Sequence, residues 1–318
     1  MDANLGIDIA KAKFAMALLL PDGKVRHKSC ANTPTGFAEL AAWLQRQQVT
    51  TVHACLEATG TYGEALATWL HEAGHVVSVI NPAIIHAYAR TQLARNKTDR
   101  LDAELIARFT ATQQPPAWAP PAPEIRQLQA LVRRLDALQG MRTQELNRLE
   151  AGVAVAAVRA SIEAVLANLN AQIAHVQQLI RDHLDRHPGL RAQRELLTTI
   201  PGIGEATAAV LIAELFDKSY TNARQAAAFA GLVPRIAESG TLRGRSRLSK
   251  MGPGRLRKAL YFPAIAALRF NPTIRAVRTR LRAAEKPSMV IIGAAMRKLI
   301  HLAYGVLKSG RAYEPRHS

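Results

Sequence analysis

A proline-rich segment about one third of the way along this 318-residue chain most constrains how it can fold. Residues 113–123 read Gln-Gln-Pro-Pro-Ala-Trp-Ala-Pro-Pro-Ala-Pro. Proline fixes its own φ, lacks a backbone N–H and disfavours helix in the residue before it, so neither a helix nor a central strand can continue through this segment. We therefore predict a stiff connector between domains. Residues 1–114 would form the first domain, residues 115–190 the connector and a helical spacer, and residues 191–318 the last domain.

The residues before the connector alternate between strand-like and helix-like patterns. Apolar runs typical of strands lie at residues 5–9, 14–20 and 25–31. Helical patterns then alternate with strand patterns at residues 51–56 and 75–80. Three antiparallel strands followed by such alternation predict an α/β domain with a mixed sheet.

Two carboxylates lie three residues apart at the start of the last helical pattern in this domain. Thr98 is of the residue type that caps helices, and apolar residues recur at helical spacing after it, so Asp99 and Asp102 project together from the first turn. Clustered acids repel each other unless a positive group joins them. That group is either a nearby side chain, namely Arg95, Lys97 or Arg100, or a hard divalent cation that takes oxygen ligands.

Two further acids lie in or directly after strand-like runs upstream. Asp8 is inside the run at residues 5–9, where a buried charge needs a partner, and Glu57 ends the run at residues 51–56. Strand ends at one edge of an α/β sheet are where sites are built. Together with Asp99 and Asp102, these acids would suit paired Mg²⁺ ions that bind a phosphodiester and activate its attacking oxygen. The alternative is that Lys11 or Lys13 pairs with Asp8 and that Glu57 is an ordinary helix-start acid.

The residues after the connector change to long helical patterns. Apolar side chains recur at spacings of three and four, which predicts two long helices with coiled-coil seams, either folded as a hairpin or paired between subunits. The seam positions are Leu128, Leu131, Leu135 and Leu138 in the first helix, and Ile162, Leu166, Leu169, Ile173, Val176 and Ile180 in the second.

A glycine-containing turn follows the spacer at residues 200–204, Ile-Pro-Gly-Ile-Gly, between two helical patterns. This is the sequence expected of a helix-hairpin-helix, in which Gly202 and Gly204 let the backbone approach a phosphate and the next helix presents its N-terminal amides. The same turn also serves for plain helix packing, and the turn alone does not separate the two roles.

The distribution of charge points to a polyanionic partner. The chain has 42 Lys+Arg and 24 Asp+Glu, a formal net charge of +18. The last 101 residues hold 21 of these basic residues and 3 of the acidic ones, which accounts for the whole excess. Apolar residues recur throughout this region, so it is not a solvated tail, and nucleic acid is the leading candidate partner.

The densest basic segment runs from residue 243 to residue 258 and contains no acid. Its glycines exclude one continuous helix, so we predict a loop on a DNA backbone, followed by two helices at about 256–269 and 289–308. The predicted nucleic-acid contacts are Arg243, Arg245, Arg247, Lys250, Arg255, Arg257 and Lys258, together with Gly202 and Gly204.

The remaining bulk features predict a cytoplasmic protein without a membrane partner. No stretch of about twenty uncharged apolar residues and no signal-type N-terminus are present. The two cysteines, Cys30 and Cys55, lie in apolar runs and are interpreted as buried thiols.

Several short motifs, in one order, resemble the IS110 family of insertion-sequence transposases, the DEDD recombinases related to Piv-type DNA invertases. The resemblance covers nearly the full length. The matching segments are Gly6-Ile7-Asp8, Glu57-Ala58-Thr59-Gly60-Thr61-Tyr62, Asn81-Pro82, Asn96-Lys97-Thr98-Asp99 with Asp102, Ile200-Pro201-Gly202-Ile203-Gly204, and Glu238-Ser239-Gly240-Thr241 before Arg243-Gly244. One local departure is Leu242, where a small or β-branched residue is expected.

The resemblance implies more than the residues alone. It implies a ribonuclease-H-like, RuvC-like first domain whose metal tetrad is Asp8, Glu57, Asp99 and Asp102. It implies that Ser239 is a covalent nucleophile forming a phosphoserine link to DNA, provided the two domains meet, within or across subunits. It also implies a noncoding guide RNA that pairs with donor and target DNA, and we expect a homo-oligomer, a dimer or tetramer.

The resulting hypothesis is a Mg²⁺-dependent transposase that cuts and rejoins DNA through Ser239. One alternative is a Holliday-junction-type resolvase, which hydrolyses DNA with activated water. The other is a nucleic-acid-binding protein that cuts nothing.

Overall fold

A computed structural model of the protein describes residues 3–58, 60–92, 98–216, 220–235 and 247–315, and the backbone of residues 238–239 and 242–243. The chain divides into two compact units, Met1–Pro120 and Pro121–Ser318. The division falls within the proline-rich connector. It differs from the predicted three-part organisation, because the helical spacer belongs to the second unit.

The first unit is an α/β domain built on a mixed sheet. Its elements are β1 (Ala3–Ile9), β2 (Lys13–Leu19), β3 (Val25–Ala31), α1 (Pro34–Arg46), β4 (Val52–Glu57), α2 (Glu64–Glu72), β5 (Val76–Ile80), α3 (Pro82–Thr91) and α4 (Asp99–Gln113). The strand order is β3-β2-β1-β4-β5. Strands β1, β2 and β3 pair antiparallel, and β4 pairs parallel with both β1 and β5. The predicted mixed sheet is confirmed.

Alternate residues of β1 face opposite sides of this sheet. Leu5 and Ile7 are fully buried in a core that also contains Leu40 of α1 and Leu66 of α2. Gly6 faces the other side, where a Cβ would lie 2.1 Å from the carbonyl oxygen of Ala103 in α4. The sheet therefore has α1 and α2 on one face and α4 on the other.

The connector is held against the edge of the sheet. The buried hydroxyl of Ser78 in β5 lies 3.0 Å from the carbonyl oxygen of Pro115 and 2.9 Å from that of Pro116. The backbone N–H of Trp118 donates to the carbonyl of Val77 at 2.6 Å. These bonds explain why the first unit extends to Pro120 and not to residue 114.

The second unit is mainly helical. Its helices are α5 (Pro123–Glu150), α6 (Ala156–Arg186), α7 (Pro188–Thr198), α8 (Glu205–Glu214), α9 (Ala223–Phe229), α10 (Gly254–Phe270), α11 (Pro272–Ala283) and α12 (Ser288–Ser309). Its short strands are β6 (Pro234–Arg235), β7 (Glu238–Ser239), β8 (Leu242–Arg243) and β9 (Arg247–Leu248). Strand β6 pairs with β9, and β7 pairs with β8.

Helices α5 and α6 pack together as a hairpin, one of the two predicted arrangements. Leu128, Leu135 and Ile180 are buried in one core with residues of the later helices, such as Leu211 in α8 and Leu260 in α10. The predicted spacer thus shares its core with the basic C-terminal helices. The coiled-coil packing of the apolar seam between α5 and α6 stays a prediction.

Helix α12 has the length and apolar composition of a membrane-spanning helix. Its residues Ile291, Leu299 and Ile300 are buried in the core of the second unit. That packing is the ordinary setting of a core helix in a folded domain.

The helices predicted at about 256–269 and 289–308 are confirmed as α10 and α12. Helix α10 begins at Gly254, so it contains Arg255, Arg257 and Lys258. Helix α11 was not predicted, although Asn271 caps it and Pro272 begins it, both common at helix starts. Its high arginine content and few apolar residues hid the helical period.

Candidate acidic centre and nucleic-acid interface

Asp8 and Glu57 lie on neighbouring parallel strands. Ile7 of β1 lies opposite Leu56 of β4, so Asp8 and Glu57 occupy the next position on each strand. Adjacent strands are about 4.8 Å apart, so the two backbones are close. Asp8 shares the face of Gly6, and Glu57 shares that of Cys55, which packs against α4. Both acids are therefore on the α4 face, and both are half-buried.

Helix α4 brings the other two acids to the same edge. The hydroxyl of Thr98 accepts a hydrogen bond from the backbone N–H of Leu101 at 3.2 Å, which confirms the predicted N-cap. Asp99 and Asp102 lie in the first turn. Ala103, directly after Asp102, is the residue that meets β1 at Gly6. The first turn of α4 thus lies near the carboxyl end of β1.

Lys13 forms an ion pair with one of these acids, Asp99. Its Nζ lies 2.8 Å from a carboxylate oxygen of Asp99, and both side chains are more than half exposed. The hydrogen bond from Lys13 lowers the pKa of Asp99, and the Asp99 carboxylate in turn raises the pKa of Lys13. The charge of Asp8 raises the pKa of Lys13 further. The acids at this end of the sheet therefore favour a positive charge beside Asp99.

The donor set fits a hard divalent cation. Carboxylates supply the oxygen ligands that Mg²⁺ prefers, and the Lys13 ammonium already places a positive charge against one of them, Asp99. Among the described residues, no three side chains of Asp, Glu, His or Cys lie close enough together to coordinate one metal ion. Metal binding would thus require Lys13 to release Asp99. The assignment of the four acids as metal ligands stays a proposal.

The cysteines take no part in this centre. Cys30 and Cys55 are buried free thiols, as predicted. Burial raises the pKa of the Cys55 thiol to about 12, so the thiolate that binds metals does not form near neutral pH.

We expect Gly6→Ala to disrupt the acidic centre without removing any acid. The new Cβ would lie 2.1 Å from the carbonyl oxygen of Ala103 and 2.3 Å from the backbone nitrogen of Ala107, so α4 must move off the sheet. Overpacking of this kind costs about 1–3 kcal/mol, and rigid backbone contacts favour the upper part of that range. Thermal unfolding and DNA cleavage measure the two effects.

Gly140→Ala is the matched control for that substitution. Gly140 lies inside α5 and its added Cβ would meet nothing within 4 Å. Alanine is favoured over glycine in a helix interior by about 1 kcal/mol, so this variant should be slightly stabilised and fully active. Equal stability of Gly6→Ala and wild type would contradict the packing of α4 on Gly6.

The glycine turn has a packing role in the structure. Gly202 has φ +107°, and a Cβ there would lie 2.7 Å from the Cβ of Ala267 and 2.8 Å from the carbonyl oxygen of Pro263, both in α10. Gly204 has open space around it and caps α8. Helix packing thus accounts for Gly202 without a phosphate, and a nucleic-acid contact at Gly202 or Gly204 stays a prediction.

Three of the predicted basic contacts have partners inside the second unit. Arg255 pairs with Asp136 at 3.4 Å and with Glu214 at 2.8 Å, and Lys258 pairs with Asp136 at 2.6 Å. Arg257 donates to backbone carbonyls, including that of Gly252 at 2.9 Å. These bonds explain the three residues by tertiary structure, and their contact with nucleic acid stays a prediction.

The other predicted contacts are only partly described. Arg247 and Lys250 are exposed. The backbone of Ser239 pairs with that of Leu242 in the β7–β8 pair, but the side chains of Ser239 and Arg243 lie outside the described residues, as does all of Arg245.

The arginines of α11 were not among the predicted nucleic-acid contacts, although they are visible in the sequence. This helix carries Arg275, Arg278, Arg280 and Arg282, and Lys286 follows it. None of these five cations has an ion pair with any described residue.

Comparison with known proteins identifies the class. A DEDD family model of the IS110 type, described as a transposase, matches residues 5–157, and a model described as the transposase IS116/IS110/IS902 family matches residues 194–278. The pilin gene-inverting protein of Moraxella bovis is 34% identical over 98% of both chains. The transposase of insertion sequence IS1328 from Yersinia enterocolitica is 29% identical, covering 61% of this chain and 65% of its own. A probable family 20 transposase of Pseudomonas aeruginosa is 26% identical over 98% of this chain and 99% of its own.

These matches run through both units and define a DNA transposase of the class that includes DNA-inverting enzymes. The chain belongs to the IS110 family of transposases.

Proposed function

We propose that this protein is a metal-dependent DNA recombinase of an insertion sequence, which cuts and rejoins DNA through a phosphoserine intermediate at Ser239. The observation that carries the proposal is that Asp8 and Glu57 occupy neighbouring strand positions on the face covered by α4, whose first turn holds Asp99 and Asp102. DEDD transposases are typically metal-dependent, and the sheet order supports a ribonuclease-H-like domain.

The acidic centre would hold Mg²⁺, with two ions as the proposed number. Bound there, the metal would activate an attacking oxygen and stabilise the leaving oxygen at a DNA phosphate. The protein's own part is to hold four carboxylates on fixed elements: two on paired strands and two on a capped helix turn. Lys13 would neutralise Asp99 before the metal binds and release it afterwards.

Ser239 would supply the nucleophile. Its Oγ would attack phosphorus, one P–O bond of the DNA backbone would break, and the released DNA hydroxyl would take up the serine proton. The energy of the broken bond is kept in the phosphoserine ester, so rejoining needs no external cofactor. The family membership and the Glu238-Ser239-Gly240-Thr241 segment support this role.

The proposed partners are donor DNA, target DNA and a noncoding guide RNA, in a cytoplasmic homo-oligomer. The C-terminal region is strongly basic and has no recognised motif for reading DNA bases. This supports a mechanism in which a guide RNA selects the DNA sequence by base pairing. Sequencing of RNA that co-purifies with the protein, expressed beside its native flanking DNA, tests this part. One discrete species from that flank is expected, and bulk cellular RNA alone would contradict the guide.

Site-specific inversion is a second candidate outcome of the same chemistry. It is favoured by the match to a pilin gene-inverting protein over 98% of both chains. Both outcomes need cutting and rejoining, and they differ in which DNA ends are joined.

Two reporter plasmids test the proposal. The first carries the gene's native flanks around a marker, and excision is read by amplification across the new junction. The second carries the flanks in inverted orientation, and inversion is read in the same way. We expect at least one reaction, dependent on Mg²⁺ and abolished by chelation. Hydrolytic cuts without rejoined product would favour the resolvase alternative, and DNA binding without any cut would favour the non-catalytic one.

A further inference from the structure

The outer face of α10 carries aromatic and apolar side chains between basic ones. Lys258, Phe262, Ile265 and Arg269 follow each other at spacings of four, three and four, so they form one stripe on the helix, and all four are exposed. Phe262 is 75% exposed and Phe270, at the end of the helix, is 64% exposed. The Arg269 guanidinium lies 5.4 Å from the centre of the Phe270 ring. Two phenyl rings with such high solvent exposure on a basic helix indicate that this surface binds another molecule.

Helix α11, which packs against α10, follows it with further cations. Exposed Arg275, half-buried Arg278 and exposed Arg282 lie on one side of the helix, at spacings of three and four, and carry no ion pair within the described residues. The corner between the helices is fixed, because buried Asn271 accepts hydrogen bonds from Ile274 N–H at 3.2 Å and from the Tyr313 hydroxyl at 2.9 Å. The rings of α10 and the cations of α11 therefore keep a constant relation.

We propose that this α10–α11 surface binds an unpaired strand of nucleic acid, with bases stacked on Phe262 and Phe270 and phosphates bound by Arg269 and the α11 arginines. This proposal rests on the proposed function, to which it adds a site and a kind of substrate. Basic grooves with exposed aromatic rings are how proteins bind single strands, because every unstacked base offers a π-face. The rings are eight residues apart, about 12 Å along the helix, which is room for a few nucleotides.

A recess beside Phe262 supports an unpaired base. Phe262 and Lys258 border a cavity of about 450 Å³ whose walls include apolar side chains, such as Leu135, Ile180 and Val210, and the charged Asp136, Arg181 and Glu205. A base that leaves its stack would find apolar contacts and hydrogen-bonding groups next to an aromatic ring.

Charge and shape make a nucleic-acid duplex or a second copy of the chain less favourable ligands for this surface than an unpaired strand. A duplex keeps its bases in the stack and offers phosphates and base edges, so it would use the arginines but leave the phenyl rings without a partner. A second copy of the chain would bring two strongly basic faces together, which costs free energy.

The test uses the full-length protein and three labelled probes: a 20-nucleotide oligo(dT), an oligo(U) of equal length, and a mixed-sequence duplex. Binding is measured by fluorescence anisotropy at several salt concentrations. We expect Phe262→Ala with Phe270→Ala to weaken single-strand binding by about tenfold or more and duplex binding by less than about twofold. The two single strands distinguish DNA from RNA as the ligand. Met141→Ala with Val158→Ala, which also removes exposed apolar side chains, is the control and should change nothing.

The arginines are tested by the salt dependence. We expect Arg275→Gln with Arg282→Gln to reduce the slope of log affinity against log salt by about 1.4, since each phosphate contact on a single strand contributes about 0.7. The phenylalanine variant should keep the wild-type slope. Arg126→Gln with Arg134→Gln removes the same charge from exposed positions on α5 and should leave the slope unchanged.

Three results would overturn the proposal: equal weakening of duplex and single strand by the phenylalanine variant, wild-type binding by that variant, or a change in oligomer mass in place of a change in binding. If wild-type protein recombines DNA while the phenylalanine variant binds single strands normally, only this surface assignment fails. If wild-type protein binds no nucleic acid at all, the proposed function fails with it.

Discussion

We expect Asp102→Asn to abolish strand cleavage and to leave nucleic-acid binding within about twofold of wild type. Asp102 is half-buried in the first turn of α4, directly before the residue that contacts Gly6, so it lies on the helix that covers the face of Asp8 and Glu57. Asparagine keeps the shape but removes the charge that a hard cation requires. We expect cleavage to fall by about a thousandfold or more, about 4 kcal/mol, measured as nicking of a labelled substrate across a Mg²⁺ titration.

Glu104→Gln is the matched control for Asp102→Asn. Glu104 lies on the same helix, but its carboxylate pairs with Arg108 at 2.8 Å and lies 3.4 Å from His27. It is not one of the four acids, so its loss should cost modest stability and little activity. Cleavage at the wild-type rate by Asp102→Asn, at any Mg²⁺ concentration, would remove Asp102 from the metal ligands. Equal loss of activity in both variants would show a general effect on α4.

Local patterns were sufficient to predict the elements of the first unit. Thr98 as a helix cap, the acid pair after it and the mixed sheet all follow from residue type and spacing over a few neighbours. The face of the sheet on which Asp8 lies does not follow in this way. It depends on the approach of α4 to Gly6, a contact across almost one hundred residues of chain. The pairing of Lys13 with Asp99 is of the same kind; Lys13 was considered only as a partner for Asp8.

In the second unit, contacts between distant residues give roles that the local sequence does not reveal. Gly202 packs against Pro263 and Ala267, which accounts for the glycine, and its approach to a phosphate stays a prediction. Arg255 was counted as a nucleic-acid contact because it lies in a basic run, whereas its partners, Asp136 and Glu214, come from other helices. Acids that are distant in the sequence form ion pairs with some of these basic residues. A count of charge within one segment therefore overestimates the number of cations that are free to bind nucleic acid. Among the described residues, the arginines of α11 are cations without an ion pair.

Ser239→Ala eliminates the covalent protein–DNA adduct and the rejoined product. Alanine lacks the Oγ atom that would form the ester with phosphorus, so residue 239 can no longer act as the nucleophile. The measurement is a labelled DNA strand that migrates with the denatured protein in detergent, and mass spectrometry locates the modified residue. A phosphoserine ester is eliminated by alkali, which distinguishes it from a phosphotyrosine link. We expect complete loss of the adduct, while DNA binding is retained.

Ser249→Ala is the control, because Ser249 lies in the same region and its hydroxyl is already engaged by the backbone N–H of Met251 at 3.2 Å. It should form the adduct normally. The combination with Asp102→Asn separates the mechanisms. If Ser239 is the nucleophile, both Ser239→Ala and Asp102→Asn lose the adduct, and neither yields cut strands. If water is the nucleophile, Ser239→Ala still cuts DNA and only Asp102→Asn is inactive. An adduct that persists in Ser239→Ala would assign the covalent step to another residue and leave the acidic centre unaffected.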